Sequence, residues 1–232
     1  MLTYERWSVN KNLKVPQFKE ATECLKWAYN HYGDEIVYAC SFGAESAVLL
    51  HLISKIKKNA HIAFIDTGLH FKETYDIIEK VREKYPDFQI TFLKPNLTVE
   101  EQANEFGQNL WETNPNQCCH IRKVEPMKKM LQNYKAWISG LRRSQSETRA
   151  NLEYINLDHK FKLIKICPLI NWKWEEIWLY IKLYQLPYHV LHDQGYPSIG
   201  CEVCTKPVEG NCESRAGRWA NHKKTECGLH LN

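Results

Sequence analysis

The stretch Glu35–Ile56, EIVYACSFGAESAVLLHLISKI, decides the fold. Ile36–Ala39 is a short apolar run suited to a buried parallel strand, and Ser41–Glu45, with Gly43 inside it, is a tight polar turn. After the turn, Val48, Leu49, Leu52, Ile53 and Ile56 recur at helical spacing. Strand, small-residue turn and amphipathic helix together aim backbone N–H groups at whatever sits on the helix N-terminus, and that is commonly an anion. An ordinary strand-to-helix connection with no ligand reads the same way. The turn matches neither Gly-x-x-x-x-Gly-Lys-Ser/Thr nor Gly-x-Gly-x-x-Gly, so the usual ATPase loop and the dinucleotide fingerprint are both absent.

Upstream, Phe18, Ala21, Leu25, Ala28 and Tyr32 form the apolar stripe of a helix that Gly33 closes. Downstream, His61–Ile65 reads as a second strand ending at Asp66-Thr67-Gly68, and Phe71, Tyr75, Ile78 and Tyr85 mark a helix running toward Pro86. Gln89–Leu93, Ala136–Ser139 and Leu163–Cys167 are further strand candidates. Residues 96–116 mix a short helical pattern near Val99–Phe106 with polar residues, as in a mobile segment. A helix from about Cys119 to Leu131 buries Ile121, Val124, Met127 and Leu131, and Trp174, Ile177, Trp178 and Ile181 define the last clear helix, ended by Pro187. Strands alternating with helices predict an α/β fold with a mostly parallel sheet flanked by helices. From Gly195 onward glycine, cysteine and arginine replace periodic structure. The expected division is a nucleotide-binding part over 1–194 and a cysteine-rich segment with a mobile tail over 195–232, within one structural domain.

At 232 residues and 44% hydrophobic content the chain can bury one substantial core. A net charge of +4 suits an anionic small molecule and, with no Arg/Lys-rich tract, argues against a nucleic-acid partner. No run of 18 apolar residues and no secretory pattern in MLTYERWSVNKN is present, so a cytoplasmic location away from membranes is expected. Nine cysteines without an export signal favour metal binding and thiol chemistry over a disulfide scaffold.

Cys118-Cys119 and Cys201-x-x-Cys204 are the sharpest signal. Adjacent thiols cannot both enter an apolar core from one regular helix, but both can reach a metal centre from a helix's first turn. Four thiolates fit zinc or an iron–sulfur cluster, and Cys212 is a substitute ligand. Cys24, Cys40 and Cys167 lie in apolar segments and read as core. Cys227, in Lys223-Lys224-Thr225-Glu226-Cys227-Gly228-Leu229-His230, stands among cations that favour a thiolate, and is a nucleophile candidate. Arg142, Arg143 and Arg149 flank a Ser/Gln/Thr-rich loop; Arg122-Lys123 follows the cysteine pair; Arg215 and Arg218 precede Trp219. Each is singly consistent with surface charge, and together, beside glycines and cysteines, they suggest oxyanion binding.

These motifs resemble the assimilatory adenylyl-sulfate/phosphoadenylyl-sulfate reductase family, and in particular its iron–sulfur-containing branch. The resemblance rests on Ser41-Phe42-Gly43-Ala44-Glu45, Ile65-Asp66-Thr67-Gly68, Cys118-Cys119-x-x-Arg122-Lys123, Gly140-Leu141-Arg142-Arg143-x-x-Ser146-x-Thr148-Arg149, Cys201-x-x-Cys204 and Glu226-Cys227-Gly228-Leu229-His230. It implies a fold of the adenine-nucleotide alpha-hydrolase (PP-loop) type and a [4Fe-4S] cluster on Cys118, Cys119, Cys201 and Cys204. It also implies thioredoxin-dependent reduction of adenylyl sulfate to sulfite and AMP, through an S-sulfonate on Cys227. Lys123, Arg215 and Arg218, with His230 nearby, are then expected around the sulfonate. Ser41, Phe42, Gly43, Ala44, Glu45, Asp66, Thr67, Gly68, Arg142, Arg143 and Arg149 are expected around the nucleotide. Ser46 stands where family loops often carry an acid, which leaves use of the 3′-phosphorylated substrate open. Homo-oligomers are common in the family. An ATP-dependent adenylating or thiolating enzyme and a zinc-stabilised binding module are the rival readings.

Overall fold

The computed structural model describes residues 1–10, 12–209, 215–220, 222 and 224–230. Two helices come first: α1 (Tyr4–Val9), capped by the Thr3 hydroxyl, and α2 (Ala21–Tyr32), which buries Ala21, Cys24, Leu25, Ala28 and Tyr32. Strands and helices then alternate through β1 (Ile36–Ala39), α3 (Ala44–Ser54), β2 (His61–Ile65), α4 (Lys72–Lys84) and β3 (Gln89–Leu93). Residues 96–116 are largely helical. Within them Thr98 and Glu101 cap α5 (Val99–Phe106) reciprocally, α6 (Leu110–Thr113) follows, and α7 (Pro115–Cys119) begins. A π-helical turn over His120–Val124 joins α7 to α8 (Glu125–Leu131), so the helix expected from Cys119 starts earlier, at Pro115. The rest comprises β4 (Ala136–Ile138), β5 (Ile155–Asp158), β6 (Leu163–Ile166) and α9 (Trp174–Leu183).

The six strands form one sheet in the order β3-β2-β1-β4-β6-β5, parallel throughout except for β5, which runs antiparallel to β6. β5 is the strand absent from the sequence reading. Its four residues alternate Ile155 and Leu157 with Asn156 and Asp158, too short an alternation to stand out from its polar surroundings.

Alternation along β1 sends Ile36 and Tyr38 into a large core shared with α2, α3, α4 and α9, and Val37 to the opposite face. There Val37 meets Ala63, Trp137, and Met127 and Leu131 of α8. Cys24, Cys40 and Cys167 are all buried. β1 is where the strand order reverses, with β2 on one side and β4 on the other, and the C-terminal ends of these three strands therefore open onto a common crevice.

The cysteine-rich segment is tied to this body by backbone. His70 and Cys201 form an antiparallel bridge, Glu202 N–H donates to the Leu69 carbonyl at 2.8 Å, and Thr205 pairs with Arg218. Among the described residues no helix is long and apolar enough to cross a membrane.

Candidate active site

A cavity fills the crevice at the ends of β1, β2 and β4. Its floor is the turn after β1. Phe42 holds a left-handed φ of 57° there, with its ring buried edge-on against Phe64 at 5.4 Å. That inward anchor lets Ser41, Gly43, Ala44 and Glu45 line the cavity, while Phe42 itself stays in the core. α3 starts at Gly43 without a side-chain cap; Ser46 N–H bonds Gly43 O at 3.0 Å, and the amides before it are left for a ligand. Ser46 is buried in the same wall, its hydroxyl taking a hydrogen bond from Tyr38 at 3.0 Å.

The arginine loop after β4 divides its charges. The Arg142 guanidinium, buried over the Trp174 ring, donates from Nε and Nη2 to Glu45 Oε1, both at 2.9 Å, and from Nη1 to Ser144 at 2.7 Å. Arg143 turns away from the cavity, donating to Leu152 O at 2.7 Å and to Glu153 at 2.7 Å, and bonding Asn171. Arg149 is buried against Glu226, with Nε to Oε1 at 2.7 Å and Nη2 to Oε2 at 2.8 Å. The same carboxylate accepts from Ser146 at 3.1 Å and Thr148 at 3.3 Å, and faces Arg215 Nη2 at 3.5 Å. Burial works against the Glu226 charge, but Arg149 and the other donors outweigh it and hold the carboxyl below its ordinary range.

The tail carrying Glu226 is docked in the structure. Gly228 O accepts from Lys160, Lys224 donates to Pro115 O at 3.0 Å, and the His230 ring lies parallel to Trp137 at 6.0 Å. Trp137 is in turn fixed from below: its indole N–H donates to Asp158 at 3.2 Å, and Asp158 pairs with Lys165 at 2.8 Å, both side chains buried. Burial and the surrounding cations keep His230 well below the usual imidazole range, hence neutral.

Docking places Cys227 at the inner end of the cavity, buried, with Lys123, Arg215 and Arg218. Cys119 packs against Cys227, and this neighbour, with Lys123 and Arg218 acting against burial, holds Cys227 well below the usual thiol range, while Cys119 is held well above it. Burial alone would lower the Lys123 ammonium, but the sulfurs of Cys201, Cys227 and Cys119 hold it above the ordinary lysine range. Arg215 is pushed down to about 10 by burial and by Arg149. Arg218 lies against Gly200, where a Cβ would press on its guanidinium, and over Trp219 at 4.5 Å, with its buried Nε unpartnered among the described residues. Among the described residues, no side-chain hydrogen bond or ion pair engages Lys123 or the Arg218 guanidinium.

Asp66, Thr67 and Gly68 do not line the cavity. Asp66 accepts from Tyr75 at 2.7 Å and from Gly68 N–H at 3.1 Å. Thr67 is fully buried, its carbonyl accepting from Arg122 at 2.6 Å and its hydroxyl 3.2 Å from the Cys201 sulfur. This segment ties β2 to the cysteine-rich segment.

The expected [4Fe-4S] cluster, and with it the iron–sulfur branch, is corrected here. Cys118, Cys119, Cys201 and Cys204 do line one small cavity, with Arg122, Lys123 and Trp219 around them. Yet among the described residues no group of three or more His, Cys, Asp or Glu side chains is arranged to hold a metal ion. Two of the sulfurs have other partners, Cys118 with Gln102 at 4.0 Å and Cys201 with Thr67, and Cys119 packs with Cys227 and Trp219. Burial raises the Cys118 thiol to about 11 and also raises Cys204. Cys212, the substitute ligand, and Lys223 lie outside the described residues.

The sequence reading did not foresee the segment 197–200, His70, His192 and Ser139 in the cavity wall. The glycines at 195 and 200, closing on Cys201, were the available hint of a loop that passes close to another group.

The phosphoadenosine phosphosulfate reductase domain family matches residues 35–207. The adenosine 5′-phosphosulfate reductase 2 of Bacillus subtilis (strain 168) is 58% identical over 230 residues, covering 99% of this chain and 98% of that protein. The adenosine 5′-phosphosulfate reductase of Geobacillus sp. (strain WCH70) is 55% identical, with both chains covered completely. Among solved structures, phosphoadenylyl-sulfate (PAPS) reductase from Candida auris, in a phosphate complex, superimposes with a TM-score of 0.70 at 31% identity, over 88% of this chain and 96% of that one. FMN adenylyltransferase of Candida glabrata, with FAD and pyrophosphate, gives 0.60 at 16% identity over 99% and 84%, a likeness of fold alone.

Proposed function

This chain belongs to the phosphoadenosine phosphosulfate reductase family, and we propose that within it the protein reduces adenosine 5′-phosphosulfate to sulfite and AMP with thioredoxin as electron donor. One observation carries the reading: a buried, thiolate-prone Cys227 sits with Lys123 and Arg218, cations that no side chain among the described residues engages, in the same cavity as the uncapped start of α3. The nucleotide phosphate rests on the amides of the Ser41–Glu45 turn, and the sulfonate points at Cys227. An anionic nucleophile approaching an anionic sulfonate needs positive charge on the oxygens, which Lys123 and Arg218 supply, with Arg215 beside them.

The Cys227 thiolate attacks the sulfonate sulfur, an S–S bond forms, the bond from sulfur to the phosphate oxygen breaks, and AMP leaves with that electron pair. A thioredoxin thiolate then attacks the Cys227 sulfur and releases sulfite. The second thioredoxin thiol resolves the mixed disulfide and returns Cys227 to its thiolate. Two thiols become one disulfide as sulfur goes from sulfate to sulfite level, so the electrons balance without another redox group. The eight described cysteines are all unpaired, which supports a reducing, cytoplasmic setting.

The test is sulfite release with thioredoxin, comparing adenylyl sulfate with its 3′-phosphorylated form. We expect kcat/KM to favour adenylyl sulfate by about a hundredfold, roughly 2.7 kcal/mol, and Cys227→Ser to abolish release. A Cys227→Ser enzyme working at the parent rate would end this reading.

A further inference from the structure

We propose that Glu226 is a positioning residue: its carboxylate, seated in the arginine loop, latches the tail so that Cys227 faces the sulfonate. The inference rests on the reading of Cys227 as nucleophile.

Four side chains converge on that one carboxylate, Arg149 through two hydrogen bonds, Ser146 and Thr148 through one each, and Arg215 through charge at 3.5 Å. Glu226 is only 3% exposed, and Arg149 4%. Such a pair is all-or-none. With the tail lifted, Arg149 is left as a buried cation without its counter-charge, which is strongly unfavourable, so partial opening gains little. Glu226 also directly precedes Cys227, and consecutive α-carbons are about 3.8 Å apart, so fixing the carboxylate fixes the start of the nucleophile's backbone.

The pairing also sorts the cations of the site into two sets. Arg142 and Arg149, which as a sequence pattern read like phosphate holders, are already met by Glu45 and Glu226. Lys123 and Arg218 are the cavity cations with no side-chain hydrogen bond or ion pair among the described residues. The paired set holds the protein to itself, and the unpaired set is available to the substrate. If Arg149 were mainly a phosphate ligand, Glu226 would compete with the nucleotide, and removing its charge would improve substrate affinity. If Glu226 is a latch, removing its charge frees the tail and leaves affinity alone.

Glu226→Gln keeps the shape and loses the charge. In the full-length protein without substrate, labelling of Cys227 by neutral iodoacetamide, read by mass spectrometry of the tail peptide, is expected to speed up about tenfold. In turnover, kcat is expected to fall about tenfold or more with KM within about twofold, since a misplaced nucleophile costs rate and not binding. Glu226→Asp, which retains the charge, should recover part of both. The double variant Ser146→Ala/Thr148→Val leaves the ion pair and removes two donors, and should speed labelling by about two- to fivefold. Labelling at the parent rate in both Glu226→Gln and the double variant would overturn the latch, as would a Glu226→Gln enzyme with lower KM and unchanged kcat. Labelling needs no turnover, so failure of the latch and failure of the reductase reading are seen separately.

Discussion

Arg218 brings its charge into the cavity, lies over Trp219 at 4.5 Å, and among the described residues meets no carboxylate and leaves a buried Nε without a partner. A buried donor in that state is costly unless something anionic arrives to use it. Arg218→Ala is therefore expected to lower kcat/KM for sulfite release by about 10²–10³, the usual loss for one donor aimed at developing negative charge. Steady-state kinetics with thioredoxin held in excess will measure it, and a loss below about threefold would remove Arg218 from the sulfonate site. Arg143, three positions past Gly140 in the same motif, shows why such roles were only partly legible: it is bound to Leu152, Glu153 and Asn171, outside the cavity. A basic residue in a loop announces its charge in the sequence. Its partner, up to a hundred residues away, does not show in any local pattern.

Among the elements, β1, the turn and α3 were legible because two apolar runs flank a small polar turn, although α3 proves buried on nearly every side and not amphipathic as expected. β5 left almost none, and it matters to the site. Asp158 at its end pairs with Lys165 on β6 and accepts from Trp137 on β4, and Trp137 carries the His230 ring on its face. Both charged side chains are buried, so Asp158→Asn should destabilise the fold by about 3–5 kcal/mol by stranding Lys165. Urea denaturation followed by tryptophan fluorescence will read this directly, and a change under about 1 kcal/mol would mean that water reaches the pair. The π-turn at His120–Val124 was equally invisible beforehand, since it arises from how α7 and α8 join and not from any residue preference.

For the molecule as a whole, acid is the revealing perturbation. His189, fully buried, accepts from Leu191 N–H at Nδ1 (3.4 Å) and bonds Thr74 through Nε2 at 3.1 Å, so one nitrogen must stay unprotonated. Burial, then the neighbouring His192, pushes its pKa down to about 4 from the ordinary 6.5. The unfolded chain therefore binds this proton first, and stability that is complete above pH 6.5 drains away as the pH falls toward 4. Glu226 acts lower down: its depressed pKa keeps its contribution intact above the ordinary value of 4.5 and loses it only below. Melting temperatures across pH 4–8 should fall below 6.5, and the fall should be smaller in His189→Gln; equal slopes would acquit this histidine. Family and fold could be read from the chain at the outset, whereas the partners of the four cysteines could not, because a spacing says which thiols can meet and not what each one meets. The docked tail has a last consequence. Cys227, Leu229 and His230 form part of the wall of the same cavity as the Ser41–Glu45 turn proposed to hold the nucleotide. On the proposed reading the nucleotide going in, AMP coming out and thioredoxin reaching for the sulfur all meet the tail at this cavity, so they must take turns, and the tail keeps the queue.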